Sequence, residues 1–507
     1  MLVFSAPGTG ELLQLLMRPA ATFEAWLAHV TPAASQPGVS PSPLVTTAPQ
    51  VPEVVAPSRL QFSGRDPLDF TPNVRPFGQA LTAQWQPGDW VAAIAGILFI
   101  VVLTAVSVLA LRSTLDAWRT ASRVREIGFS PVERDPSHSF LSIVHALGAG
   151  GGLADTLTGL ANQQHARHEV VAVVAEDDAA TLAAARRAVT RHPGIVSVIV
   201  YRGQLRRSEV LNLAREGARG DVIGIFDGTA VVHPQLLRLV DSRLAETGAD
   251  ALQTGVQRTY FASHWWSLHS ALDNYFWQRS QLPSLAEAQT LTLGGNATFV
   301  RREWLEFVGG WDPKSTSPDG GLGVALSSAG AQLAAVYSPD VVTYERGIPS
   351  ISAGIRDRIE FNRGIIGLLR RGGWRNLPHS AVRLRAPQRL TVTLIAPIAG
   401  VLIPTLLLAV VALRPPTLFA VLALIPLAPM LVSGAVRLAG LAELGALFKQ
   451  KMRVRDYACV IAGALPHQAV LLVALILTAF PARDLRQENP TDRFAGQPQL
   501  ALAGGRP

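Results

Sequence analysis

Apolar positions along this chain follow two rhythms. Near residue 90, and again after 390, they form unbroken runs. Between about 138 and 372, short apolar runs alternate with stretches of helical period. The first long run, VAAIAGILFIVVLTAVSVLAL at 91–111, holds no charged residue. About 20 such residues, rising about 1.5 Å each, cross the hydrocarbon of a bilayer, so a membrane helix is predicted over 90–112. Three more are predicted over 390–413, 417–436 and 457–480. Pro397, Pro404, Pro426 and Pro429 fall inside them and are tolerated where neighbouring helices satisfy the freed backbone groups. His467, in the last run, reads as a packed or hydrogen-bonded side chain or as a proton relay, with packing favoured.

In the middle, FLSIVHAL, VVAVVAE at 170–176, IVSVIVY at 195–201 and DVIGIF at 221–226 read as strands. Helical patterns follow them at 153–164, 179–191, 208–218 and 234–247. This alternation predicts an α/β domain with a mostly parallel sheet covered on both faces, where ligands bind at the carboxyl ends of the strands. Acidic residues stand at two such ends: Glu176, Asp177 and Asp178 after the second strand, and Asp227 after the fourth. Asp178 reads equally as a cap of the helix 179–191. Asp227, seven residues before Pro234, is a turn residue or a ligand for a divalent cation that neutralises a diphosphate leaving group. Asp319 precedes a predicted helix over 321–329 and either caps it or acts as a general base. The arginine-rich helix predicted over 352–370 reads as interfacial.

The 507 residues leave room for two or three domains, and 16% charged residues with positive mean hydropathy agree with membrane segments. A net charge of +8 could point to nucleic acid, but the basic residues cluster beside the apolar runs, where anionic lipid headgroups are the better partner. No nucleic acid partner is expected. Arg112, Arg119, Arg123 and Arg125 follow the first span, Arg370 to Arg389 precede the second, and Lys449, Lys451, Arg453 and Arg455 separate the last two. If four spans alternate, these clusters share the cytoplasmic side and the central domain faces the cytosol. A lone cysteine, Cys459, allows no intrachain disulfide. The tail over 1–89 lacks the basic start and apolar run of a secretory signal. Within it, 10–30 could form an amphipathic helix, and 32–58, with seven prolines, reads as a linker. A second tail covers 481–507. The alanine-, arginine- and proline-rich composition suggests a bacterial inner membrane protein.

Several stretches, in order, resemble a membrane-embedded family 2 glycosyltransferase of the cellulose and hyaluronan synthase kind, over about 139–372. VVAVVAEDDAAT is similar to the strand whose end aspartates contact the donor nucleobase, which implies that role for Asp177 and Asp178. LRRSEVLNLAREGARGDVIGIFDGTAVVHPQLL resembles the run leading into the metal motif, implying donor binding by Arg207 and Asp227, and metal binding by Asp227. LGGNATFVRREWLEFVGGWDP resembles the acceptor-side segment, implying Gly295, Trp311 and Asp312 there. SPDGGLGVALSSAG resembles the segment bearing the catalytic base, Asp319, and VYSPDVVTYERGIPS the strand after it.

The resemblance implies a GT-A nucleotide-diphospho-sugar transferase domain between one membrane helix before it and about three after. It also implies inverting transfer from a nucleotide-diphosphate sugar (UDP-sugar foremost), with Mg²⁺ or Mn²⁺, to a lipid or glycan acceptor in cell-surface polysaccharide or glycolipid assembly. The pattern is broken at several chemical positions. Thr229 replaces the second acid of the metal motif, Pro318 the acid before the base, and Glu209 a lysine. Asp357, Glu360 and Phe361 stand where Gln-x-x-Arg-Trp belongs. An acid in place of that arginine predicts repulsion of the diphosphate. A catalytically impaired scaffold or membrane partner of an active enzyme is the alternative expectation, and a transporter a distant third.

Overall fold

The computed structural model describes residues 87–125 and 135–480, apart from 218, 260–264, 290–292, 349, 378–379 and 414–416. The predicted amphipathic helix, the proline-rich linker and the tail over 481–507 lie outside the described residues. The chain runs α1 (Pro87–Arg125), β1 (Phe140–His145), α2 (Gly152–Ala161), β2 (His168–Ala175), α3 (Ala179–Arg191), β3 (Val196–Tyr201), α4 (Arg207–Glu216), β4 (Val222–Asp227) and α5 (Leu236–Thr247). From β1 to α5 these coincide with the predicted strands and helices to within about three residues, while α1 runs 13 residues past the predicted 90–112. There follow β5 (Ala251–Thr254), β6 (Val256–Arg258), α6 (Trp265–Phe276), a π-turn (Trp277–Gln281), α7 (Leu282–Glu287), β7 (Thr298–Arg301), α8 (Arg302–Phe307), α9 (Pro318–Ala329), β8 (Leu333–Val336) and β9 (Thr343–Glu345).

Seven strands form one mixed sheet in the order β3-β2-β1-β4-β7-β5-β8, and β6 pairs with β9 in a small second sheet. The strands β1 to β4 are parallel, but β7 runs antiparallel to β4, with Thr298 opposite Ile225. This reversal brings the segment entering β7 beside the carboxyl end of β4. The sheet is buried on both faces, as its continuous Val/Ile runs require. On one face Phe140, Phe226 and Phe299 pack with Leu153, Leu157 and Leu160; on the other, Leu141 and Ile143 pack with Val210, Leu211, Trp311 and Leu326. Each large side chain fully buried in this way contributes about 1.5–3 kcal/mol. Truncating a fully buried residue such as Leu211 to Ala would cost about 2–5 kcal/mol.

After β9 the amphipathic α10 (Ile351–Arg371) leads into the apolar helices α11 (Ser380–Leu413), α12 (Thr417–Leu424), α13 (Leu427–Leu447), α14 (Val454–Ala462) and α15 (Ala464–Thr478). Three stretches, Val91–Leu115, Val382–Ala412 and Leu418–Leu447, are long and apolar enough to cross a membrane. The pair α14 and α15, bent by 46°, raises the number to as many as four. Exposed Ile94, Leu98, Phe99, Val101 and Val102 on α1 form the kind of apolar surface that lipid covers.

The domain is joined to these helices through α6, whose Leu268, Leu272 and Tyr275 pack with Leu441, Leu444 and Val460. Charged side chains also meet at this junction. Asp273 accepts from Arg437 at 2.8 Å and lies 3.1 Å from His467, while Arg279 and Glu443 stand 3.6 Å apart, both nearly inaccessible. His467 stacks on His269 at 4.6 Å, in line with the packed reading of this residue.

Candidate active site

Parallel strands end together, so β1 and β4 deliver His145 and Asp227 as register partners at one edge of the sheet. Helix α4 begins at the same edge with Arg207, and α9 begins there with Asp319. Arg207 ties the four together. Its Nη1 donates to Asp227 Oδ1 at 2.9 Å and to His145 Nδ1 at 3.1 Å, and its Nε donates to Asp319 Oδ2 at 3.1 Å. Its Nη2 donates to the Gly295 carbonyl.

Burial alone would make Arg207 less basic, but Asp319 and then Asp227 outweigh it, so its pKa is raised and the guanidinium stays charged. Burial, and secondarily Arg207, lowers the His145 pKa to about 3, so this imidazole is neutral and accepts at Nδ1. Asp319 is 14% exposed and Asp227 44%. The link to Asp227 therefore adds no more than about 0–1 kcal/mol of stability, and the arrangement is one of position more than of strength.

The base position is held from a second side. Asn212 of α4 clasps the Trp311 backbone, donating from Nδ2 to its carbonyl at 2.7 Å and accepting its N–H at 3.0 Å. Trp311, thus fixed and buried, donates from Nε1 to Asp319 Oδ1 at 3.2 Å. Gly295 is required here: its φ is +79°, and a Cβ would lie 2.3 Å from Asp319 Oδ2. The backbone N–H of Asp227 donates to Asn296 Oδ1 at 3.3 Å, and Asn296 Nδ2 donates to Glu345 Oε1 at 2.6 Å. Burial, with the charge of Asp227 second, raises the Glu345 pKa.

Of the residues predicted from sequence, Asp227, Arg207, Asp319, Gly295 and Trp311 meet in this one cluster. Asp178 caps α3, accepting from the Thr181 N–H at 3.1 Å, and its other oxygen accepts the Gly148 N–H at 3.0 Å. Asp177 is exposed in the turn beside it. Asp312 turns outward, accepting the Lys314 N–H at 2.8 Å and pairing with Arg371. His145, Asn212, Asn296 and Glu345 were not singled out from sequence. The Leu-Asn pair at 211–212 was the one available signal among them.

Asp357 is paired with Arg258, whose Nη2 stands 3.4 Å from its carboxylate. Phe361 meets Trp277 edge-on and lies under the Arg358 guanidinium, so its ring is packed against the domain.

The residues present do not fit a resident Mg²⁺ or Mn²⁺. Such an ion takes several oxygens in near-octahedral array. Here Thr229 supplies at most a neutral hydroxyl, and Asp227 and Asp319 both direct an oxygen at one guanidinium. Among the described residues, no group of three or more His, Cys, Asp or Glu side chains is arranged to hold a metal.

Residues 136–359 match the family model described as Glycosyltransferase like family 2. A Synechocystis sp. protein, beta-monoglucosyldiacylglycerol synthase, is 32% identical over 124 residues, which are 24% of this chain and 25% of that protein. The match thus spans a quarter of the relative's length. Among solved structures, the mannosyltransferase PcManGT from Pyrobaculum calidifontis, in complex with GDP-Man and Mn²⁺, is 19% identical. It covers 76% of this chain and 98% of its own, with a TM-score of 0.48. S. aureus TarS 1-349 is 15% identical and covers 50% and 70%, with a TM-score of 0.37.

Proposed function

We propose, from the premise that residues 136–359 form a family 2 glycosyltransferase domain of GT-A-like α/β fold beside membrane-spanning helices, that this protein transfers a sugar from a nucleotide-diphosphate donor to a lipid or glycan acceptor. The observation that carries the reading is the meeting of Asp227 and Asp319 across one guanidinium at the carboxyl edge of the sheet. Asp319 is the general base. In an inverting displacement it takes the proton of the acceptor hydroxyl as that oxygen bonds to the anomeric carbon and the nucleoside diphosphate leaves with the bond's electrons. Trp311 and Arg207 each hold one of its oxygens, fixing the carboxylate's plane while leaving a lone pair for the incoming proton.

Asp177 and Asp178, at the end of β2, are assigned to the nucleobase end of the donor, with Asp178 also serving as a cap. Trp311, Gly295 and Asp312 mark the acceptor side. The junction through α6 places the domain against the membrane helices, which favours an acceptor carried by the bilayer. The glycolipid named in the Synechocystis relative points the same way. Orientation follows from the basic clusters, with the domain in the cytosol of a bacterial inner membrane.

The test is transfer of labelled sugar from UDP- and GDP-sugars to lipid extract by the full chain in nanodiscs, with Asp319→Asn as control. We expect transfer that falls about 10²- to 10⁴-fold in the variant at unchanged thermal stability. Transfer insensitive to this substitution would remove Asp319 from its role. Absence of transfer from every donor would favour the partner or scaffold reading.

A further inference from the structure

We infer that Arg207, rather than a divalent cation, carries the positive charge that this site presents to a diphosphate, and that nucleotide binding here requires no metal. The inference rests on the glycosyltransferase reading above. The guanidinium stands between two carboxylates of the site, 2.9 Å from Asp227 Oδ1 and 3.1 Å from Asp319 Oδ2. An ion coordinated by either oxygen would have a fixed like charge at contact distance.

Arg207 is also anchored. Beyond the two aspartates it donates to the Gly295 carbonyl and to His145 Nδ1, so partners from four separate segments hold it. Withdrawing it would take one donor from each of the four. These contacts use Nε–H, both hydrogens on Nη1 and one on Nη2, which leaves an Nη2 hydrogen for a phosphoryl oxygen.

A second guanidinium approaches where the metal motif has lost its acid. A Cβ on Gly152, at the start of α2, would lie 3.3 Å from Arg346 Nη2 and 3.5 Å from Thr229 Cγ2. Arginine and the threonine that replaces the second acid therefore share one corner of the site. Arginine suits this role because it is always charged and its N–H fork matches phosphate oxygens.

Calorimetry on the full chain in detergent, with UDP and with GDP, tests this. We expect the same affinity, to within about twofold, in EDTA and in Mn²⁺, a change well under the 1.4 kcal/mol of a tenfold step. Arg207→Met should weaken metal-free binding by about tenfold or more, with Arg207→Lys intermediate, since it keeps the charge but loses the fork. Mn²⁺ alone should give no binding heat with the wild type. Thermal melts verify that the variants are folded. Binding that requires Mn²⁺ in the wild type, or metal-free binding unaffected by either substitution, would overturn the inference and leave the proposed function standing. No binding of any nucleotide by folded protein, with or without Mn²⁺ and with no sugar transfer, would overturn both.

Discussion

Asp227, Asp319, Arg207 and His145 at the sheet edge, and Asp273, Arg437, His269 and His467 at the junction with the membrane helices, draw on the same three residue types. In both, an arginine donates to an aspartate, at 2.9 Å in one and 2.8 Å in the other. In both, burial first and neighbouring positive or ring groups second lower a histidine, His145 to about 3 and His269 to about 4. What differs is where the partners come from. The edge cluster is assembled by strand ends and helix starts of one domain, with a 44% exposed carboxylate at its mouth. The junction cluster joins α6 to α13 and α15, and next to it Arg279 and Glu443 are sealed at 6% and 8% exposure. Asp227 and Asp273 are similarly open, at 44% and 36%, so the same chemistry differs in what it joins: elements of one domain at the edge, and a domain helix to apolar helices at the junction.

The comparison breaks most sharply at Arg279. Arg279→Met removes the cation 3.6 Å from the buried Glu443 and should cost about 3–5 kcal/mol, the loss typical of a buried ion pair deprived of one partner. Chemical or thermal unfolding in detergent would show it, and Arg279→Met with Glu443→Leu should recover most of the loss. Failure of the double variant to recover would mean that the pair is not the origin of the effect. Nucleotide affinity per folded molecule should not change in either variant.

A comparable effect, confined to acid pH, is expected at the edge cluster. His145 has a folded pKa of about 3 against an ordinary 6.5, so the unfolded chain binds the proton first. Its contribution to stability is whole above pH 6.5 and drains as pH falls from there toward 3. His145→Gln should flatten that part of the stability–pH curve, and an unchanged slope would contradict the assignment. The smallest effect belongs to Asp178→Ala. Loss of the α3 cap should cost about 1 kcal/mol. A simultaneous fall in nucleotide affinity would reveal the second role proposed for this residue, and stability loss alone would make it a cap only.

The strands β1 to β4 were legible because each is a run of six to eight residues rich in Val, Ile or Phe, bounded by polar turns. The strands β5, β6, β8 and β9 have three or four residues each, too few for periodicity, and owe their state to distant partners such as Leu252 opposite Ala334. The same limit governs the site. Its acids could be read from their positions at strand ends and helix starts. The place of the Arg207 guanidinium between them could not, because Arg207 and Asp319 are 112 residues apart and only the folded sheet makes them neighbours. Nor could the neutralisation of Asp357, whose partner Arg258 lies 99 residues earlier. Sequence placed the charges, and folding decided which ones cancel.

The junction also sets an order of events during synthesis. Asp273 leaves the ribosome 164 residues ahead of Arg437, an interval of roughly 10–30 s at about 5–20 residues per second. The sheet and its core are complete within that interval, while α6 still shows an apolar face and an unmatched carboxylate. Maturation of the nascent chain therefore ends with the apolar helices after the domain, where α14 and α15 complete the cover that α13 begins. A chain stalled before that helix would present the exposed surface that proteolytic surveillance recognises.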